Sequence, residues 1–396
     1  MKRTDEFPMV LHARGITGAG GGPEKTIANS PRFLSQFGYR CVCAYMHPPG
    51  DPGFDLFLKK AQQAGTDIIE LLDRKPLDFA LIRQYVQLCK MHQVDIWHAH
   101  DYKTDVLGLL VRRFWPMKLV TTVHGWVQIT PRTKIYYAID RRILRFYQHV
   151  IAVSDDLHDE CLQYGVKKQR LTLIRNAIDT LQFRPSEGKD QRQSLFAVPE
   201  ESFVIGAVGR LSPEKGFDVL IHCVDQLVRR GRNVHLLIAG EGPERETLRS
   251  QIESLGLQNS ITLLGQISEM IPLFSSLDTF VLSSYREGLP NVVLEAMAMK
   301  VPVVSTRVAG IPHLITDEQS GLLIDAGSVE QLTRALERVL DSPELRESMA
   351  SNGRQVIERE FDFANRMRRV VGIYDKVLGR NDNAVGASVC VASRGE

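Results

Sequence analysis

Short apolar runs alternate with amphipathic stretches along almost the whole chain. Residues 8–13 (Pro-Met-Val-Leu-His-Ala) read as a strand, as do 40–45, 95–101, 118–124, 150–154 and 171–175. Apolar runs without polar alternation are the pattern of strands buried on both faces, as in a parallel sheet. Helical periodicity covers 77–92 and 106–114. The pattern restarts at 203–209 and continues with strands at 234–239, 261–264, 279–282, 301–305 and 321–324. Helices follow most of them, then come three more at about 328–340, 343–358 and 361–378. Two successive strand–helix arrays predict an α/β chain with two parallel-sheet domains. The expected division is 1–184, 185–360, a last helix at 361–378, and a polar tail without order at 379–396.

Composition agrees with two soluble cores. The 396 residues are 43% hydrophobic and 24% charged. No apolar stretch approaches the ~20 residues that span a bilayer, and the N-terminus lacks the apolar core of a signal peptide. Cys41, Cys43, Cys89, Cys161, Cys223 and Cys390 form no Cys-x-x-Cys pair and no zinc spacing, which fits a reducing cytoplasm. The net charge of +2 hides an asymmetry: residues 1–184 carry roughly eight excess positive charges and the remainder roughly six negative. The positive excess gathers between 111 and 150, interleaved with Phe114, Trp115, Trp126, Tyr136, Tyr137, Phe146 and Tyr147. Within it Lys134, Arg141, Arg142 and Arg145 recur at spacings that can share one helix face. A basic helix with aromatic neighbours can lie on an anionic membrane surface.

The richest chemistry lies at 284–312. After the strand 279–282, Glu287 stands in a turn with Gly288. Pro290 suits the first position of a helix, and Glu295 follows eight residues after Glu287. A helix start offers unpaired N–H groups and partial positive charge to a phosphate. Carboxylates accept hydrogen bonds from vicinal hydroxyls of a ribose or hexose. Upstream, Gly209-Arg210-Leu211-Ser212-Pro213-Glu214-Lys215-Gly216 also joins a strand to a helix. An arginine fork and a lysine point charge there can neutralise a departing diphosphate without a metal. No Asp-x-Asp, the usual metal-binding pair of such a site, lies at a strand end. In the first half, a glycine-rich loop at 15–22 opens a helix. His98, His100, Asp101 and His124 sit at carboxyl ends of strands, where open α/β sheets gather their functional groups.

Glu287 to Glu295, followed by Ala-Met-Ala and the strand Pro302-Val-Val, resembles the donor site of glycosyltransferase family 4. Gly-Arg-Leu-x-x-x-Lys-Gly at 209–216, Gly21-Gly22-Pro23-Glu24, Asp-Ile-x-His-x-His-Asp at 95–101 and His124-Gly125 are similar to further motifs of that family. The resemblance runs from about residue 9 to 378. It implies the GT-B fold, with two Rossmann-like domains facing across a cleft and the final helix crossing back to the first. It implies retaining transfer of a hexosyl unit from a nucleotide sugar to an acceptor hydroxyl. Arg210, Lys215, Glu287 and His124 would be catalytic. Gly21, Gly22, Gly209, Gly288, Leu289, Pro290, Asn291 and Glu295 would bind the donor, and His100 and Asp101 would face the acceptor. Asn176-Ala-Ile-Asp179 resembles the interdomain crossing, with Arg175 and Ala177 where the family has Pro and Gly.

The partners so implied are a UDP- or GDP-sugar and a carbohydrate or lipid-linked acceptor. No cofactor, no metal and no nucleic acid are expected. The setting is cytoplasmic biosynthesis of polysaccharide, lipopolysaccharide or glycolipid, with peripheral contact to the inner face of a membrane. A nucleotide-sugar 2-epimerase shares the fold and needs no acceptor. A non-catalytic sugar-nucleotide-binding protein would not need the reactive positions. A dinucleotide oxidoreductase is disfavoured by the poor glycine fingerprint.

Overall fold

The computed structural model describes residues 7–16, 22–63, 65–75, 78–126, 131–185, 192–267 and 269–380. The chain divides into two compact units, Met1–Asn176 with Ala364–Glu396, and Ala177–Phe363. The crossing falls inside the element that the sequence marks for it. Ala177 is not left-handed there, so replacement of glycine costs no backbone strain. Most of the tail expected to lack order lies outside the described residues.

The first unit holds β1 (Met9–Gly15), β2 (Arg40–His47), β3 (Ile68–Leu72), β4 (Ile96–Ala99), β5 (Lys118–Val123), β6 (His149–Ala152) and β7 (Leu171–Leu173). They form one parallel sheet in the order β3-β2-β1-β4-β5-β6-β7. The chain therefore reverses direction of build between β1 and β4. In such doubly wound sheets a crevice opens at that point, beyond the carboxyl ends of the strands. Leu11, Ala44, Trp97, Leu119 and Val150 are fully buried and carry the core, which is why these runs contain almost no alternation. The helix Phe363–Leu378 belongs to this unit beyond its first residue. Tyr39 Oη donates to Asp375 at 2.6 Å, and the Tyr374 hydroxyl stands 2.5 Å from His98 Nδ1.

The second unit repeats the scheme with β8 (Phe203–Val208), β9 (Val234–Ala239), β10 (Ile261–Gly265), β11 (Thr279–Leu282), β12 (Val303–Thr306) and β13 (Leu322–Ile324). Their order is β10-β9-β8-β11-β12-β13, again parallel. The switch point is between β8 and β11. The two motifs singled out in this half, 209–216 and 284–291, follow those two strands. Sheet topology thus brings together segments about 70 residues apart in sequence.

The structure also supplies elements the periodicity did not mark: the helix Pro52–Gln63 and the edge strand β3. Pro290 is the residue just before the helix Asn291–Ala298, not its first residue. Its carbonyl accepts the first turn's hydrogen bond from Val293 at 3.1 Å.

Candidate active site

In the second unit the loop after β8 is fixed by backbone contacts. Gly209 N–H donates to Ala239 at 3.0 Å, and Leu211 N–H to Glu241 at 3.0 Å. The neighbouring loop approaches so closely that a Cβ on Gly240 would overlap the Gly209 carbonyl, and one on Gly242 the Leu211 carbonyl. Gly216 is left-handed at φ 63°, and a Cβ there would strike the carbonyl oxygen of Ser283. Two further bonds lace this loop to the segment after β11. Tyr285 N–H donates to Glu214 at 2.8 Å, and Ser283 Oγ to the Lys215 carbonyl at 2.9 Å.

This lacing sets side chains face to face. Lys215 Nζ donates to Glu287 Oε1 at 2.6 Å, and Ser284 Oγ donates to the same oxygen at 2.7 Å. The Glu287 side chain is only 9% exposed, against 21% for Lys215. Thr306 Oγ1 holds the Ser284 carbonyl from β12 at 2.7 Å. Arg210 is exposed. Glu214 lies close enough to both cations for their charge to help hold its carboxyl below the usual range, after its hydrogen bonds from Ser212 and the backbone. Among the described residues no side chain caps the helix Asn291–Ala298, so its first N–H groups keep a partial positive charge that suits an anion. Glu295 is 1% exposed and therefore no solvated helix residue. Leu289, Pro290 and Asn291 are half-buried beside the turn.

Gly288 and Gly209 are informative for what they do not do. Neither is left-handed; a Cβ on Gly288 would meet nothing, and one on Gly209 only ordinary contacts. The fold alone requires neither glycine. Both leave backbone open to close approach by another molecule.

In the first unit the carboxyl ends of β1, β4 and β5 enclose a cavity of about 600 Å³. Arg14, His100, Asp101, His124, Trp126 and Tyr137 are among its walls. Asp101 caps the helix Tyr102–Val111 through Lys103 N–H (2.9 Å) and Thr104 N–H (3.0 Å), and its second oxygen accepts from Gly15 N–H at 2.7 Å. Its carboxylate is thus engaged by the backbone first, although it still faces the cavity. Arg14 bonds Glu24 at 2.9 Å and the His100 carbonyl. Gly22 begins the next helix, while Gly21 lies outside the described residues.

His100 and His124 belong to a stack of four histidines. His12 Nδ1 is 2.8 Å from His100 Nε2, and His100 Nδ1 is 3.1 Å from His124 Nε2. His98 packs on His100 with ring centroids 4.4 Å apart, and its nitrogens meet the hydroxyls of Tyr374 (2.5 Å) and Thr122 (2.8 Å). Burial pushes all four below the ordinary histidine range, His12 to about 3, with neighbouring cations adding to the effect. Ligand atoms of His12, His98 and His100 lie within 4.8 Å of one another. A metal ion would have to break bonds that both nitrogens of His98 and of His100 already make, so the donor set fits a hydrogen-bonded stack better than a metal centre.

Sequence reasoning missed His12, Arg14, Asp105 and Asp140. Asp105 and Asp140 are buried together in the wall of the cavity, and burial raises both carboxyls, Asp140 to about 6. Trp126 Nε1 donates to Asp140 at 2.8 Å. The available signal was a polar residue inside an apolar run, as His12 is inside β1.

The profile of Glycosyltransferase Family 4 matches residues 20–182, and that of Glycosyl transferases group 1 matches residues 189–356. The α-D-kanosaminyltransferase of Streptomyces kanamyceticus is 34% identical over 297 residues, which are 71% of this chain and 77% of that protein. A D-inositol 3-phosphate glycosyltransferase of Corynebacterium efficiens is 28% identical over 307 residues, 72% of each chain. Among solved structures, Anabaena HepE in complex with UDP-glucose aligns with a TM-score of 0.75 at 21% identity, over 93% of this chain and 99% of its own. The chain belongs to the family 4 type of GT-B glycosyltransferases, and its activity is glycosyl transfer.

Proposed function

We propose that this glycosyltransferase moves a hexosyl unit from a nucleoside-diphosphate sugar to an acceptor hydroxyl with retention of anomeric configuration and without a metal. The observation that carries the reading is the contact of Lys215 with Glu287 beside exposed Arg210 and an uncapped helix start. Arg210, Lys215 and the first N–H groups of Asn291–Ala298 hold the diphosphate. They neutralise the charge that grows on it as the bond from the anomeric carbon to the phosphate oxygen breaks. Gly209 and Gly288 let it approach the backbone, and Leu289, Pro290 and Asn291 line that approach. Glu295 binds the ribose hydroxyls. Glu287 contacts the sugar near its reacting carbon, and His124 donates to a sugar oxygen. The acceptor oxygen bonds to the anomeric carbon on the face the diphosphate leaves, and its proton passes to a phosphate oxygen. A thermal-shift screen of nucleotide sugars tests the donor class, because a ligand of the folded state raises the melting point. The account expects a UDP- or GDP-sugar to stabilise the protein and NAD to leave it unchanged; stabilisation by no nucleotide sugar contradicts it.

A lipid-linked acceptor is supported by one surface. In the helix Pro131–Ile143 and the turn after it, Ile135, Ile139 and Phe146 are exposed among exposed Lys134, Arg142 and Arg145. Much of the rest of the basic aromatic segment is engaged internally. Arg141 pairs with Glu160 at 2.6 Å and lies over Trp126, Tyr136 stacks on Tyr102, and Tyr147 is buried. The proposed membrane contact is therefore this narrower apolar and basic stripe. Among the described residues no helix is long and apolar enough to cross a membrane.

A further inference from the structure

The histidine stack fixes a direction for its protons. Three of its rings form a chain, His12 Nδ1 to His100 Nε2 at 2.8 Å and His100 Nδ1 to His124 Nε2 at 3.1 Å. A neutral imidazole carries one N–H and one acceptor nitrogen. Three neutral rings joined by two N–H···N bonds can be ordered in only two ways. In the inward order, His124 Nε2–H donates to His100, His100 Nε2–H donates to His12 Nδ1, and His12 carries its own proton on Nε2. That Nε2 is buried and meets no partner among the described residues, so this order leaves a buried N–H orphaned. In the outward order, His12 Nδ1–H donates to His100 Nε2 and His100 Nδ1–H donates to His124 Nε2. The only fault is then an unused lone pair on His12. Orphaned buried donors are the rarer defect in native proteins. His98 imposes no opposite order, because its partners are hydroxyls that rotate to donate or accept.

We infer that His12 and His100 are positioning residues that set the tautomer of His124, leaving its proton on Nδ1. His12 and His100 are buried, whereas His124 is half-buried and lines the cavity, so the chain's one free N–H falls to the ring that can meet a ligand. The ligand class follows. The Nε2 lone pair of His124 already accepts from His100, so the ring offers a donor to a hydroxyl or ring oxygen of a sugar. It cannot take a proton from an acceptor without breaking the chain. This step rests on the reading that His124 contacts the sugar.

The test uses the full chain labelled with ¹⁵N-histidine and read by long-range proton–nitrogen correlation at pH 7.5, with His124→Asn to assign the ring. The expected spectrum has a pyrrole-type Nδ1 and a pyridine-type Nε2 at His124. In His12→Asp, whose carboxylate accepts where Nδ1 donated, His100 is expected to turn its proton to Nε2 and the His124 ring to move towards the Nε2–H form, with turnover falling by up to about 10²-fold, the scale of a mispositioned reacting group. His12→Asn, whose amide nitrogen can stand where Nδ1 stood, is expected to restore both. An Nε2–H tautomer at His124 in the unmodified protein overturns the inference, and that reading does not depend on any variant folding. So does an unchanged tautomer in folded His12→Asp. A tautomer that shifts while turnover does not would leave the wiring standing and remove His124 from the sugar.

Discussion

Lys215 Nζ and Glu287 Oε1 are 2.6 Å apart, and that oxygen also accepts from Ser284 Oγ at 2.7 Å. The cation expected at the diphosphate and the carboxylate expected at the sugar therefore hold one another. Each is held by the protein's own contacts, the preorganisation that electrostatic catalysis needs.

Lys215→Ala and Arg210→Ala should separate positioning from charge. Each removes a cation proposed to act on the leaving diphosphate, so each should cost on the order of 2–4 kcal/mol in the activation barrier. Arg210 is exposed, so its variant should melt like the unmodified protein. Lys215→Ala leaves Glu287 without its ion pair, which should lower stability by about 1–2 kcal/mol, reduced from a fully buried pair because Lys215 still meets solvent. Steady-state kinetics with thermal unfolding reads both.

Stability should fall on mild acidification. In the first unit His12, His98, His100, His124 and His149 all have folded pKa values below the ordinary 6.5, His12 at about 3 and His149 at about 4. Below pH 6.5 the unfolded chain binds protons that the folded one refuses, so stability present above that pH is lost as pH falls. Asp105 and Asp140 act the other way. Their raised values make the folded state bind protons first, and that contribution is lost as pH rises, for Asp140 between about 4 and about 6. Five histidines outnumber two carboxyls, so the net slope should be acid destabilisation. A histidine held as His12 is contributes on the order of 2 kcal/mol between pH 7 and 5. Unfolding midpoints across that range measure the slope, and Asp140→Asn should steepen it.

Excess EDTA should leave turnover unchanged, since Arg210, Lys215 and a helix start are proposed to take the role of a divalent ion. Loss of activity on chelation, restored by magnesium or manganese, would place a metal at the diphosphate.

Sedimentation with anionic and neutral vesicles reads the exposed stripe on Pro131–Ile143. Binding should favour anionic vesicles at low salt, with each surface cation contributing about 1 kcal/mol, and should fade as salt screens it. Ile135→Ser with Ile139→Ser should weaken it. Equal recovery with both vesicle types would favour a soluble acceptor.

What could be read from the sequence follows the physics of each signal. Central strands such as Phe203–Val208 were legible because burial on both faces leaves only apolar residues. The edge strand Ile68–Leu72 was not, being short and partly exposed, with Glu70 in its middle. Arg210, Lys215, Glu287 and Glu295 stood out as compact motifs. The bond between Lys215 and Glu287 did not, because 72 residues separate them and only the order β8-β11 brings them together. The entry of His12 into the stack is likewise a product of sheet order, which sets β1 beside β4. The basic segment at 111–150 misled in part: spacing placed Arg141 among the outward cations, and the fold turned it inward onto Glu160 and Trp126.

The most direct test of the central claim is the proton NMR spectrum of the first-formed product, taken with the nucleotide sugar that the thermal-shift screen selects and an acceptor the enzyme accepts. The coupling constant of the new anomeric proton reports its configuration. The account predicts the configuration of the donor; the opposite anomer as the first product would contradict it.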